Sequence, residues 1–561
     1  VRSSDVHGRA RSVASSRAVR ALTLVLLLLG CRPDKPPAPL PPLASAAYAH
    51  YLDGKLAGYR DDWPAAVEAL TAAAAAAPDQ PMVAVELARA LVRAKKEDAA
   101  KTTLAAARLK WPGHSQIWLA SGDLLAKSAP AEAIRSYRKA IELEPSEEKA
   151  YLGIAKLETK PEIAMAVLTR LVKQVPTSIE GRYRLGQRLA LARKLDPAIA
   201  QLQKVLELDP DHIDARLDLA RGLRMKGRLP EAIAQTRSAF DRAGQALDLA
   251  EELFYLLLEA DDQQAALDLL TLLDDERSDA DALVSVARLY RGLGRLVEAR
   301  ALAQRIGKSD ADLGTLLEGE IALAAGDTTN AAKRVLGIDK SSERFAEARK
   351  VAANAHLTAG DPQAALDALA PARAAKPTDV ELATLAAFAL VDLKRAEEAR
   401  MALASLGDSA TATFARARVA DRAGDPANAI AICESLLAVK PDLGHVLNLA
   451  GYLLADSNQR LDLAEKHLRR ARDLSPGDPA VLDSYGWLLL KQKRTREAVR
   501  ILDRASRFAP LEAEIQVHLA AAWLADGAPR TAGATLDRAV ALKPSPAVQK
   551  KLDAVRASLP R

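Results

Sequence analysis

The sequence predicts an all-α protein, an α-solenoid of about 15 helix–turn–helix units closed by a C-terminal helix. Three observations carry this expectation. Alanine, the best helix former, is very abundant, and no sustained β-branched segment of period two occurs. Prolines recur at Pro78, Pro112, Pro145, Pro176 and Pro210 with spacings of 34, 33, 31 and 34, then at Pro441, Pro476, Pro510 and Pro544 with spacings of 35, 34 and 34. Small and apolar residues return at fixed offsets between those prolines.

The elements follow in chain order. Residues 1–30 read as an export signal: five arginines against one aspartate, then the apolar run Ala21 to Leu29. That run is too short for a membrane-spanning helix, which needs about 20 residues, and suits the apolar core of a secretory signal. Leu28-Leu29-Gly30-Cys31 closes it and resembles the bacterial lipobox. The resemblance implies cleavage after Gly30 and a diacylglycerol on the Cys31 thiol. Arg32, rather than Asp, in the next position then implies sorting to the outer membrane, facing the periplasm. Residues 31–45 form a linker with prolines at 33, 36, 37, 39, 41 and 42. Such a segment favours extended polyproline II and reads as a semi-rigid stalk. With Cys31 acylated, only Cys433 remains, so the fold rests on packing and not on a disulfide.

The unit 479-PAVLDSYGWLLLKQKRTREAVRILDRASRFAP-510 displays the repeat. Gly486 lies in the first helix and Leu489 three positions on; Ala498 lies twelve after Gly486, followed by Leu502, Ala505 and Pro510. Two antiparallel helices pack closely only where small residues meet, the role expected of Gly486 and Ala498. Apolar residues at helical spacing form the stripe each helix buries, and the proline ends the second helix. The offsets recur as Ala88, Ala100, Leu104, Ala107, Pro112, as Gly186, Ala198, Leu202, Val205, Pro210, and as Ala520, Ala532, Leu536, Ala539, Pro544. This pattern resembles the tetratricopeptide repeat family from about residue 46 to 544. A first array is expected over 46–244, degenerate repeats without the terminal proline over 245–345, and a second array over 346–544. The stretch 451-GYLLADSNQRLDLAE-465 lengthens one inter-helix turn. Residues 545–561 supply an amphipathic helix to cover the last apolar face, as a stacked array requires.

Composition and motifs argue against chemistry in this chain. The net charge is +6, of which the first thirty residues supply +4, so the remainder is close to neutral. Interleaved charges on a near-neutral chain do not suit nucleic acid. Gly307-Lys308-Ser309 lacks the upstream glycine of a phosphate loop, since Leu302 stands there. The eight histidines are scattered, and Asp274, Asp275, Glu276, Asp279 and Asp281 lack the order of a calcium loop. No enzyme, cofactor or metal is therefore expected.

What remains is surface. The family resemblance implies that first helices line a concave groove and contact ligands at set positions. Carried onto this sequence, those positions are Tyr48, Tyr51, Met82, Arg89, Trp118, Tyr183, Arg221 and Arg224 toward the N-terminus, and His445, Asn448, Tyr452, Asp483 and Trp487 toward the C-terminus. Aromatic residues and arginine are enriched in binding hot spots and stand out where aromatics make up 4% of the chain. The opposing expectation is that each Trp or Tyr fills space between neighbouring helices. Residues 447–490 further resemble a paired repeat of exported lipoproteins in Gram-negative bacteria. The reading is a lipid-anchored scaffold that holds proteins or extended peptides, in assembly of an envelope complex such as a pilus or secretin. The alternatives are a component of exopolysaccharide export and a non-catalytic subunit presenting substrate to an envelope enzyme.

Overall fold

The computed structural model describes residues 44–276 and 280–560. The expected signal at 1–30, Cys31, and most of the linker lie outside them, as do the side chains of Asp275, Glu276, Asp279 and Asp281. Among the described residues there are 31 helices and no strand: fifteen antiparallel pairs and one terminal helix. They fall into two compact units, the first ending at Gly181 and the second beginning at Arg182.

The local reasons for this pairing are uniform. Many helices begin with Pro in the first turn, where its missing N–H costs nothing. Aspartate caps several of these starts: Asp361 Oδ1 accepts from the Ala364 N–H at 3.0 Å, and Asp425 Oδ1 from the Asn428 N–H at 3.1 Å. Within a pair the turn is short, and in most pairs one residue is left-handed, such as Gly527 at φ 82° or Lys493 at φ 61°. In the lengthened turn after the helix Gly444–Asp456, both Asn458 and Arg460 adopt positive φ.

Pairs close on small residues, as expected. Gly486 packs directly on the second helix, and a Cβ there would stand 2.5 Å from Leu502 Cγ. Ala498, Leu502 and Ala505 opposite it are completely or almost completely buried. In the first unit, Gly54 meets Leu70 in the same way, with 2.6 Å from an added Cβ to Leu70 Cγ. Gly122 and Gly153 flank the Tyr137 ring, whose hydroxyl donates to Asp123 at 2.8 Å; a side chain on either glycine would collide with the ring. The prolines that mark the repeat lie in the turns between pairs. Three of these turns are braced by the residue six positions on. Trp118 Nε1 donates to the Pro112 carbonyl (2.8 Å), the Tyr151 hydroxyl to Pro145 (3.1 Å), and an Arg216 guanidinium N–H to Pro210 (2.6 Å).

The pairing continues through 245–345, where the terminal proline is missing. The helix Leu247–Glu259 buries five leucines, at 249, 253, 256, 257 and 258. Later second helices shorten, to Leu296–Ile306 and Thr328–Leu336. The single helix Pro546–Ala557 closes the array: Leu552, completely buried, joins Val517, Ala520, Leu536 and Ala539 in one cluster.

The second unit also has a seam between segments far apart in sequence. Arg193 pairs with Asp473, and Arg507 with Asp261. Pro510 lies beside Gly294, and Lys543 beside Gly326. Leu482, Ala505, Phe508, Ala509 and Ile515 belong to the same buried cluster as the helices between Ala239 and Ala368. The turns of pairs between 247 and 336 therefore rest on the connections that join pairs after residue 473.

Candidate functional site

A cleft of about 590 Å³ opens in the first unit. Its wall is the helix Ser45–Tyr59, where Gly54 packs on Leu70 and Gly58, one turn later, leaves space that a side chain would fill. A Cβ at Gly58 would meet only Trp63, at 3.3 Å. Across the gap, Glu86 and Arg89 stand on the helix Pro81–Arg93. Glu86 accepts from Lys55 Nζ at 2.7 Å and from Arg89 at 2.7 Å. Burial pushes the Glu86 carboxyl up, but these two hydrogen bonds outweigh it and hold the group below its ordinary range. One carboxylate thus fixes two cations, so this trio keeps one positive charge in excess. Arg93 lies over the Trp63 ring, 5.5 Å from its centroid, a cation–π contact.

Of the residues expected at this end of the groove, Arg89 lines the cleft. Tyr51 is half-buried beside it, its hydroxyl pushed up by burial and then by Glu86. Tyr48 and Met82 are exposed. Trp118 braces the Pro112 turn and carries Arg108 over its ring at 5.6 Å, so its donor is engaged inside the fold. Lys55, Trp63, Glu86 and Arg93 were not anticipated. Gly58 was the available signal, because a glycine on that face leaves the helix surface open.

Tyr183, Arg221 and Arg224 belong to the second unit. Tyr183 is buried against His212, and burial followed by Asp218 pushes its hydroxyl up to about 12. Arg221 and Arg224 line a second cleft, also about 590 Å³, with Tyr255 and the connection Asp473–Pro479. Both are already neutralised, Arg221 by Asp218 at 2.9 Å and Arg224 by Glu259.

The C-terminal set forms a connected network. Asp483, 8% exposed, holds His518 Nδ1 at 2.9 Å. The His518 ring stacks on Trp487 with centroids 4.3 Å apart, and Lys491 lies over the same tryptophan at 4.7 Å. Trp487 Nε1 donates to Asp456 at 3.0 Å. The Tyr452 hydroxyl accepts from Lys551 Nζ at 2.8 Å, and Lys551 also pairs with Glu514 at 2.6 Å. Burial raises the Tyr452 hydroxyl against the opposing effect of Lys551; burial lowers Lys551, but Glu514 and Tyr452 outweigh it and raise the group. His445 is exposed and meets Phe414 edge-on at 4.6 Å. Asn448 Oδ1 and His518 Nε2 are buried with no hydrogen-bond partner among the described residues. Asp483 is therefore a buried partner of His518, not an open groove residue, because the next pair brings the imidazole onto it.

Tetratricopeptide repeat models match residues 60–122 and 457–516, and a second set matches 183–246 and 414–479. Segments similar to tetratricopeptide repeats thus lie in both units. Over 168 residues it is 31% identical to the TPR repeat-containing protein PA4667 of Pseudomonas aeruginosa; the match takes in 29% of this chain and 28% of that protein. The chain therefore spans little more than a quarter of this relative's length. Among solved structures, a chain of Naa15/Naa10 bound to HypK-THB aligns over 92% of this chain and 100% of its own, at 13% identity and TM-score 0.32. The type IV pilus biogenesis factor PilW aligns over 35% of this chain and 93% of its own, at 19% identity and TM-score 0.28.

Proposed function

We propose that this chain is a lipid-anchored scaffold of the bacterial envelope whose first-unit cleft receives an extended segment of a partner protein. The observation that carries the reading is the cleft beside Gly58. It has an open apolar floor, a cation pair ordered by one partly buried carboxylate, and a tryptophan at its edge. Lys55 and Arg89 are held in place before a ligand arrives, which lowers the ordering cost of binding. The excess positive charge favours a segment carrying a carboxylate. Anchoring through Cys31 and placement at the outer membrane rest on the lipobox resemblance. A role in assembling an envelope complex such as a pilus or secretin rests on the resemblance of residues 447–490 to exported repeat lipoproteins.

The cleft is tested by replacing Gly58 with a photoreactive phenylalanine derivative in producing cells. The expected result is an adduct with one envelope protein, lost when Arg89→Glu is added and absent when the probe replaces Leu109, which is 87% exposed elsewhere on the unit. Equal labelling from both positions would reject the cleft as a binding site. Anchoring is tested separately by Cys31→Ser, which should abolish fatty-acid labelling and release the chain from membranes.

A further inference from the structure

The first helix of the array exposes a face that its counterparts bury. In Ser45–Tyr59, Leu56 lies two positions after Gly54, the residue that packs on the second helix. The residues two after the corresponding Gly451, Gly486 and Ala520 are Leu453, Leu488 and Ala522, which are 3%, 0% and 0% exposed because the preceding pair covers them. Among the described residues no pair precedes Leu56, which is 51% exposed. Tyr48, Leu52 and Tyr59 are exposed on the same side, and at 100° per residue the four fall within one arc of about 80°. An apolar stripe of this kind at the end of a solenoid needs a cover.

We propose that residues 36–43, PPAPLPPL, fold back along this helix as a polyproline II strand and form the N-terminal cap of the array. Several features point to this occupant. The segment is joined directly to the helix, so it is present at high effective concentration. Eight residues at about 3.1 Å each span about 25 Å, against about 22 Å for fifteen helical residues at about 1.5 Å. The strand repeats every three residues, so Pro37, Leu40 and Leu43 share one edge. The segment has no charge, so burying it leaves no ion without solvent, and tyrosines at both ends of the stripe suit proline rings. The proposal is independent of the anchor, and it turns the expected stalk into a fitted cap, leaving only residues 31–35 as spacer.

The experiment places a photoreactive phenylalanine derivative at Leu52 of the full-length chain, mixed with an equal amount of ¹⁵N-labelled chain and studied in membranes and in detergent. The expected adduct joins position 52 to residues 36–43 of the same chain, in both media. An adduct to the ¹⁵N chain would assign the face to a second copy, an adduct to lipid would assign it to the bilayer, and no adduct would mean an uncovered face; each overturns the proposal. A second measurement uses the double variant Leu40→Ser, Leu43→Ser. Amide exchange over residues 45–59 should accelerate by about tenfold while residues 81–174 stay unchanged; equal rates in variant and wild type would also overturn it.

Discussion

Trp487 uses both ring faces and its only donor within the fold: His518 on one side, Lys491 on the other, Asp456 at the indole nitrogen. Replacing it with Ala should destabilise the last repeats by about 2–3 kcal/mol, less than for a fully buried tryptophan. Denaturant unfolding measures this, and the photoadduct at Gly58 should be unaffected. Unchanged stability in Trp487→Ala would mark the ring as a ligand contact instead. Cys433 gives a second expectation at this scale. Its thiol is completely buried, and burial, then Asp421 and Glu434, push it up to about 12. It should resist alkylation at pH 8 until the chain unfolds. Because the unfolded thiol ionises first, folding stability should decline as pH rises from about 9 toward about 12, a decline that Cys433→Ala removes. The sequence placed Trp118, Trp487 and Asp483 on first helices but did not reveal what they touch. The partners, the Pro112 carbonyl, Asp456 and His518, come from other elements, and a helix position fixes a direction only to within an arc. Lys55 and Glu86 went unnoticed for a related reason: their pairing spans two helix pairs.

At the scale of helices, small residues set the spacing. Ala498 faces the first helix of its own pair and is completely buried. Ala498→Leu should overpack that junction at a cost of about 1–3 kcal/mol, with faster amide exchange first in 479–508. Exchange altered uniformly over the whole chain would show that pairs are not the packing unit. These pairs were legible in the sequence because glycine, alanine and proline recur in register; the terminal helix was legible because its stripe stops where the repeats stop. The stretch 245–345 was legible only as irregular. Its connections lack proline, and leucines of Leu247–Glu259 and contacts from the far end of the chain hold it. No local pattern encodes contacts of that range. A second device escaped notice: Arg228, Arg295, Arg395 and Arg494, each at the start of a second helix, grip a glutamate three residues on. The pairs are solvent-exposed and fix the entry of the helix more than they stabilise it.

The second unit, taken whole, departs from the nearest-neighbour behaviour usual for repeats. Phe508, 6% exposed, shares its cluster with Leu253, Leu270 and Leu317, residues roughly 190 to 255 positions earlier. Phe508→Ala should cost about 3–5 kcal/mol and should accelerate amide exchange in 247–324 as well as in 495–525. Acceleration confined to 495–525 would show that the seam adds nothing to cohesion. The seam also bears on how such a chain can change over generations. Solenoids ordinarily gain and lose units by duplication and deletion, since each unit sees only its neighbours. Here Pro510 must arrive at Gly294, and Lys543 at Gly326, 216 and 217 residues later. One extra unit between them would carry every later partner past its place at once. Copy number between these points is thus pinned by geometry, and variation in length should be tolerated only outside the stretch the seam encloses.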